Sequence, residues 1–252
     1  MAIIDQILEN KNSRVIGFIG GKGRNFLLNQ LASEIAHAGH KVIITNIEKD
    51  ILPPSGKIIY HKDEKLLLSD IKKAIKTNPI LYVGKEIQDH FVRGLTLSGI
   101  RKLKSEHAQD YLLLLLGNEK KYSLLSRKDI TKICKLSLLD QLIYCFQLDL
   151  IDQPLDHSKM GNALEIVEHF PQFKNDNLFS QDFIFSYLTD AENGAYHLFQ
   201  QKWPTSLIFT DINNLLLENR SINLVRDLLS QKIQKIYQSN LKDNRLKRIP
   251  HK

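Results

Sequence analysis

The chain is short of the features that narrow function fastest. Among its 252 residues there are two cysteines, Cys134 and Cys145. That is too few for a disulfide framework, and they fall in different expected elements, so they form no CxxC metal or redox pair. Both are expected to be reduced thiols in a cytoplasmic setting. No stretch approaches the roughly 20 apolar residues that span a bilayer; the longest run, Leu112 to Leu116, is strand-sized. The N-terminal "MAIIDQILENKNSR" carries an early Asp5 and no apolar core, so it does not read as a signal peptide, and no membrane association is expected. Nine histidines are present, yet none falls in an HxH or HExxH pattern, and no metal site is expected. No Ser-His-Asp or Cys-His order can be argued.

Hydrophobic residues make up 42% of the chain and charged residues 25%, which suffices for a globular core. The net charge of +7 raises the question of nucleic acid. The excess sits in "NEKKYSLLSRK" (118–128) and in the end of the chain, "LKDNRLKRIPHK", without the interleaved aromatics of a single-strand-binding surface. Nucleic acid is therefore not an expected partner.

The pattern along the chain alternates strand and helix. "VIGFI" is a buried-strand run ending in glycines. Leu27, Leu28, Leu31, Ile35 and Ala36 then recur at helical spacing, Gly39 stands at the helix end, and "KVIIT" follows as a second strand. This is a βαβ unit, and it predicts parallel strands. "GKIIY", "PILYVG", "DYLLLLLG", "LIYCFQLDL" and "TSLIFTDI" read as further strands. "EKLLLSDIKKAIKT", "SGIRKLKSEHA" and "SQDFIFSYLTD", the last capped by Ser180, read as helices. In "INLVRDLLSQKIQKIYQ", Val225, Leu228, Leu229, Ile233, Ile236 and Tyr237 predict one long helix with a single apolar stripe. The fold class expected is α/β: a doubly wound, mainly parallel sheet flanked by helices in a three-layer, P-loop NTPase-like architecture. It is expected to form one domain over 1–240, followed by a loose basic tail over 241–252.

The loop "GFIGGKGRN" is where chemistry is expected. Glycines between a strand and a helix let backbone N–H groups converge on an anion at the positive end of the helix dipole. Gly20, Gly21, Lys22, Gly23, Arg24 and Asn25 are the candidate phosphate- or nucleotide-binding residues. A working NTPase adds a lysine for the terminal phosphates and a hydroxyl for magnesium, and this chain has no Gly-Lys-Ser or Gly-Lys-Thr. Arg24 is a broad fork rather than a compact ammonium. Asn25 can cap a helix but replaces a hydroxyl poorly on magnesium. Three readings stay open: a tight turn that needs glycines and nothing more, residual anion binding, and hydrolysis.

"VIGFIGGKGRNFLLNQLASEIAHAGHKVIITN" resembles the opening of the selenium-cofactor biosynthesis proteins, the YqeC-like accessory factors of selenium-dependent molybdenum hydroxylases. There the loop reads G-A-G-G-K-T and the second strand ends in T-T-T-K. The resemblance continues in order through "ILPPSG", "VGKEIQDHFVRGLTLSGIRKL", "DYLLLLLGNEKK", "LIYCFQLDLIDQPLD" and "SLIFTDIN", over roughly residues 3 to 240. It implies an accessory role in the cytoplasm, a molybdenum hydroxylase or its maturation machinery as partner, and a nucleotide or molybdopterin-like ligand.

The departures are concentrated in the motifs. Arg24 and Asn25 take the lysine and first threonine positions. Leu115 and Gly117 stand where the family's acidic motif has Glu and Asp, with Lys120 kept and Glu119 nearby. "TNIEK" keeps Thr45 and Lys49, and Thr210 and Asn213 replace the base-reading pair. His157 falls in a turn where the family tends to carry a histidine. Thr45, Lys49, Glu119, Lys120 and His157 are thus further candidates for a pocket. Metal-dependent phosphoryl transfer needs lysine, hydroxyl and carboxylates together, so magnesium and NTP turnover are not expected. A phosphate-bearing ligand or a protein partner is the leading expectation, ahead of an unconventional NTPase and of a purely structural interaction protein.

Overall fold

The computed structural model describes residues 6–8, 13–21, 23–51, 56–89, 91–117, 123–154, 166, 168–173, 178–210, 215–230, 233, 235–240 and 245–249. They fall into two compact units: residues 1–19, 25–119 and 138–142 form one, and residues 20–24, 120–137 and 143–252 the other.

In chain order the elements are β1 (Val15–Gly20), α1 (Arg24–His37), β2 (Val42–Asn46), β3 (Lys49–Ile51), β4 (Lys57–Tyr60), α2 (Glu64–Ala74), β5 (Ile80–Gly84), β6 (Glu86–Gln88), β7 (Phe91–Arg93), α3 (Leu97–Glu106), β8 (Tyr111–Leu115), α4 (Arg127–Cys134), β9 (Gln141–Gln147), α5 (Gln181–Thr189), α6 (Tyr196–Phe199), β10 (Thr205–Thr210), α7 (Leu215–Ser230), β11 (Ile236–Asn240) and β12 (Arg245–Arg248). The class is α/β, with mostly parallel strands between flanking helices.

The first unit is built on parallel strands in the order β1-β8-β2-β5-β4. Every residue of β1, β2 and β8 is buried, which requires cover on both faces and explains why these segments read as unbroken apolar runs. As the βαβ reading requires, β1 and β2 are parallel, although β8 lies between them. The Asp140 carboxylate accepts the N–H groups of Arg14 and Val15, both at 2.9 Å, and fixes where β1 begins. Near the N-terminus Gln6 and Ile7 are helical. Ile7 is buried, and its carbonyl accepts from Gln141 Nε2 at 2.6 Å.

Helix α2 shows how locally the sequence sets an element. The Asp63 carboxylate accepts from the N–H groups of Lys65 (2.8 Å) and Leu66 (3.2 Å). Those bonds, the one from Leu66 first, hold its pKa below the usual value. Leu67, Leu68 and Ile71 then turn inward at helical spacing. A separate antiparallel sheet, β3-β7-β6, follows the ends of β2 and β5. Its three-residue strands are too short to carry a periodicity.

In the second unit the order is β9-β10-β11-β12, with β10 and β11 parallel and β12 antiparallel to β11. The core is aromatic: Phe170, Phe173 and Phe179 surround Phe183 with ring centroids 5.8, 5.4 and 6.1 Å away. Ser180 caps α5 as expected, accepting from Phe183 N–H at 3.1 Å.

Two expectations are corrected here. The apolar stripe of the last long helix does not run through Tyr237. The helix stops at Ser230, and Ile236 and Tyr237 belong to β11, opposite Leu207 and Ile208. A helix stripe and a doubly covered strand place apolar residues at similar intervals over so short a span, and no Gly or Pro marks the break. Within the basic tail, Arg245–Arg248 is an edge strand rather than loose chain. Basic side chains on such an edge discourage further pairing.

Candidate functional site

The glycine loop leaves β1 under two close constraints. Gly20 has φ +98°, a left-handed conformation that L side chains adopt only at a cost. A Cβ there would also collide with the backbone carbonyl oxygen of Cys145. At Gly21 the obstacle is a side chain: a Cβ would collide with the Ser123 hydroxyl. Two backbone donors of this turn are spent internally. Gly21 N–H donates to the Cys145 carbonyl at 2.9 Å, and Arg24 N–H to the Gly21 carbonyl at 3.3 Å. Gly23, at φ +94°, turns the chain into α1. Asn25, a residue able to cap a helix, lies inside this one, one residue past its start at Arg24. Lys22 lies outside the described residues.

Arg24 is the residue on which the phosphate question turns. Its side chain is 1% exposed and ranks among the largest fully buried ones. A guanidinium so enclosed is held by the protein and does not reach toward solvent. It stands close enough to the Cys145 thiol to pull its pKa down, against a larger upward push from burial, and the balance lies at about 12. Cys145 is therefore a neutral thiol across the physiological range.

A hydrogen-bonded strap closes over the turn. The Ser123 hydroxyl accepts from Gln147 N–H at 3.2 Å, and the Ser123 carbonyl accepts from the Tyr144 hydroxyl at 2.5 Å. Two residues on, the Tyr187 hydroxyl accepts from Leu125 N–H at 2.7 Å and donates to the Leu125 carbonyl at 2.9 Å. Ser126 begins α4, accepting from Asp129 N–H at 3.1 Å while its hydroxyl donates to the Asp129 carboxylate at 2.9 Å. Burial raises both tyrosine pKa values well above normal. Ser123 and Ser126 fall within the segment read only as a basic group. The signal that would have found them is the capping box Ser126-x-x-Asp129.

The remaining candidates separate. Thr45 is buried, and its hydroxyl donates to the Val83 carbonyl at 2.8 Å, so it ties β2 to β5. Lys49 is exposed on β3, with its ammonium 4.2 Å from the centroid of the Phe91 ring. Glu119, Lys120 and His157 lie outside the described residues. Near Lys49 the first unit contains a groove of about 420 Å³, lined by Ile47, Glu48, Lys49, Glu86, Gln88, Phe91 and Arg93. The sheet beneath it is anchored by Asn46, whose side-chain amide donates to the carbonyls of Glu48 (2.6 Å) and Val92 (2.9 Å). Sequence reasoning missed Phe91 and Arg93. Their signal was the hairpin "EIQDHFVR", whose turn holds Asp89 at φ 53°.

Elsewhere, the His107 ring and the Asp110 carboxylate meet at 2.8 Å. Among the described residues no group of three or more His, Cys, Asp or Glu is placed to hold a metal, and no helix is long and apolar enough to cross a membrane.

No protein-family model matches the chain, and no curated protein matches it in sequence. Among solved structures it is similar to chloroplast FtsY from Physcomitrella patens, at 12% identity and a TM-score of 0.47, over 99% of this chain and 68% of that one. It is also similar to the signal recognition particle receptor FtsY from Elizabethkingia anophelis, at 12% identity and a TM-score of 0.41, over 94% of this chain and 63% of that one.

Proposed function

We propose that this chain is a non-hydrolytic binding protein, an accessory factor of the kind its sequence resembles. In this reading the strand, glycine loop and helix of a nucleotide fold are kept as framework, and phosphoryl transfer is not. One observation carries the reading: at Gly20, Gly21 and Arg24 the loop is packed against its own unit. The Gly21 N–H is committed to Cys145, the Ser123 hydroxyl sits against Gly21, and Arg24 is 1% exposed. Phosphoryl transfer depends on preorganised donors aimed at the anion, together with magnesium ligands. The sequence departures at Leu115, Gly117 and Asn25 point the same way.

The test is turnover of ATP and GTP by the purified full chain with magnesium. The expected result is no phosphate release above the buffer blank, and no magnesium-dependent rise in Tm with either nucleotide. Magnesium-dependent hydrolysis that is lost in Arg24→Lys or Ser123→Gly variants, each shown by circular dichroism to be folded, would overturn the reading. The partner implied by the resemblance is a molybdenum hydroxylase or its maturation machinery. Co-expression of the tagged chain with such a hydroxylase is expected to raise the loaded fraction of the enzyme, and an unchanged fraction removes that part of the proposal.

A further inference from the structure

The small sheet of the first unit carries a charge arrangement that a water-facing sheet does not favour by itself. In register, Lys49 stands directly opposite Arg93, and like charges directly opposite on antiparallel strands repel. On its other side Arg93 stands opposite Glu86, but that carboxylate meets the Lys62 ammonium at 3.3 Å. The Lys49 ammonium lies over the Phe91 ring. Two cations thus face the same space, with the Glu48 carboxylate, and the Glu86 carboxylate that Lys62 shares, beside them.

Strand periodicity explains why these groups share a face. Lys49 on β3, Phe91 and Arg93 on β7, and Glu86 and Gln88 on β6 alternate with Asp50, Val92 and Ile87. The second set faces the rest of the unit: Asp50 is fully buried, and Val92 packs so closely on Gly84 that a Cβ there would collide with it. The first set is concave and lines the groove of about 420 Å³, a size within the roughly 300–1,000 Å³ of small-molecule sites. The location matters as well. The groove opens just past Asn46, the last residue of β2, and α/β proteins take ligands outside the carboxyl ends of their parallel strands.

We propose that this groove binds a small aromatic organic phosphate, with the phosphate between Lys49 and Arg93 and the ring against Phe91. The Arg93 guanidinium offers a planar fork that matches phosphate oxygens, while Lys49 is a mobile point charge on a four-carbon stem. A dianionic group relieves the repulsion between the two cations, and the lysine leaves the ring face to meet it. Glu48 and Glu86 at the rim set a limit: they admit one phosphate between the cations and oppose a longer polyanion. The inference rests on the reading of the chain as a binding protein for a phosphate-bearing ligand, but places the ligand on the small sheet and away from the glycine loop.

Isothermal titration calorimetry on the full chain tests it, with AMP, ribose 5-phosphate, adenosine and inorganic phosphate as probes. AMP is expected to bind without magnesium and more tightly than the other three. Lys49→Glu and Arg93→Glu are each expected to weaken it about tenfold or more, the size of one charge-assisted contact. Phe91→Leu should weaken AMP severalfold and leave ribose 5-phosphate unchanged. A structural role for Lys49 would lower stability on substitution, whereas Lys49→Glu relieves the repulsion from Arg93 as it gives up the Phe91 ring contact, and is expected to leave Tm no lower while weakening AMP binding by that factor. The proposal is overturned if AMP binds no better than adenosine, if the charge reversals leave its affinity intact, or if inorganic phosphate binds as well as AMP. Magnesium-ATP turnover is scored separately and does not depend on Lys49 or Arg93. A failed groove therefore leaves the non-hydrolytic reading standing, and turnover would overturn that reading without touching the groove.

Discussion

The carboxyl ends of β1 and β2 offer a direct comparison, because both strands are wholly buried and parallel and each is followed by a turn where α/β proteins place ligands. After β1, main-chain donors are turned back on the protein and the one cation of the described turn, Arg24, is enclosed. After β2, the buried polar groups are likewise consumed, Thr45 by Val83 and Asn46 by Glu48 and Val92. There, however, the satisfied backbone serves to hold up a small sheet whose cations Lys49 and Arg93 remain on the surface. In the reading proposed above, position in the fold does not decide which end binds; what decides is whether the donors are already spent.

The largest effect expected concerns Gly20. Gly20→Ala forces a side chain into a left-handed backbone, about 1–2 kcal/mol, and drives its Cβ into the Cys145 carbonyl, which adds about 1–3 kcal/mol of overpacking. Gly39→Ala is the matched control, because φ is +86° there and nothing lies within 4 Å of an added Cβ; only the strain of about 1–2 kcal/mol applies. Urea denaturation of the two variants isolates the packing of the loop. Equal losses would mean that the loop stands open, and the contrast with the end of β2 would collapse.

Next in size is Tyr187→Phe. Removing the hydroxyl strands the buried N–H and carbonyl of Leu125, at about 1–3 kcal/mol for each group left unsatisfied. Stability should fall by at least about 2 kcal/mol, and Ser123 should become more accessible to hydrogen exchange through its amide. AMP affinity should not move. A parallel loss of affinity would show that the two regions are coupled.

Alkaline pH separates the regions by burial. Burial pushes the Cys145 thiol from 9.0 to about 12 and the half-buried Cys134 thiol from 9.0 to about 11. A thiol whose folded pKa lies above its unfolded value keeps its proton longer in the native state. The stability it contributes is whole below pH 9, then shrinks as pH rises toward the folded pKa. Denaturation midpoints should be flat to about pH 9 and fall above it, with Cys145→Ala flattening the decline more than Cys134→Ala. Thiol reagents at pH 8 should label Cys134 slowly and Cys145 only on unfolding.

How much was legible follows from the range of the interactions. β1, β2, β8, β9 and β10 could be read directly, because strands covered on both faces must be continuously apolar, and β5, buried only in part, because turn residues bracket its run. The glycines of the loop were equally plain. What closes the loop was not, since Ser123, Cys145 and Gln147 approach Gly20 and Gly21 from more than 100 positions away in the chain, with no local pattern announcing it. The small sheet was missed for a different reason. Its strands have three residues each, below the length at which alternation stands out. Lys49 was noticed through a retained motif position, while its cross-strand neighbour Arg93 became visible only in the register.

That register yields the smallest effect and the one of opposite sign. Lys49→Glu replaces a cross-strand repulsion with an attraction to Arg93 on an exposed face, a change of about 0.2–1 kcal/mol. The variant should gain whatever part of that amount exceeds the lost Lys49–Phe91 ring contact at low salt, and lose the gain as ionic strength rises past the point where the Debye length is shorter than the pair separation. Side chains at Gly20 and Gly21 are expected to destabilise, since an added Cβ collides with Cys145 and Ser123 there. A gain on replacing Lys49 would show that the fold does not need this cation, and the AMP titrations then decide whether a ligand does. If Lys49→Glu instead weakens the fold at every salt concentration, Lys49 belongs to the architecture, and the two strand ends differ only in how completely they are closed.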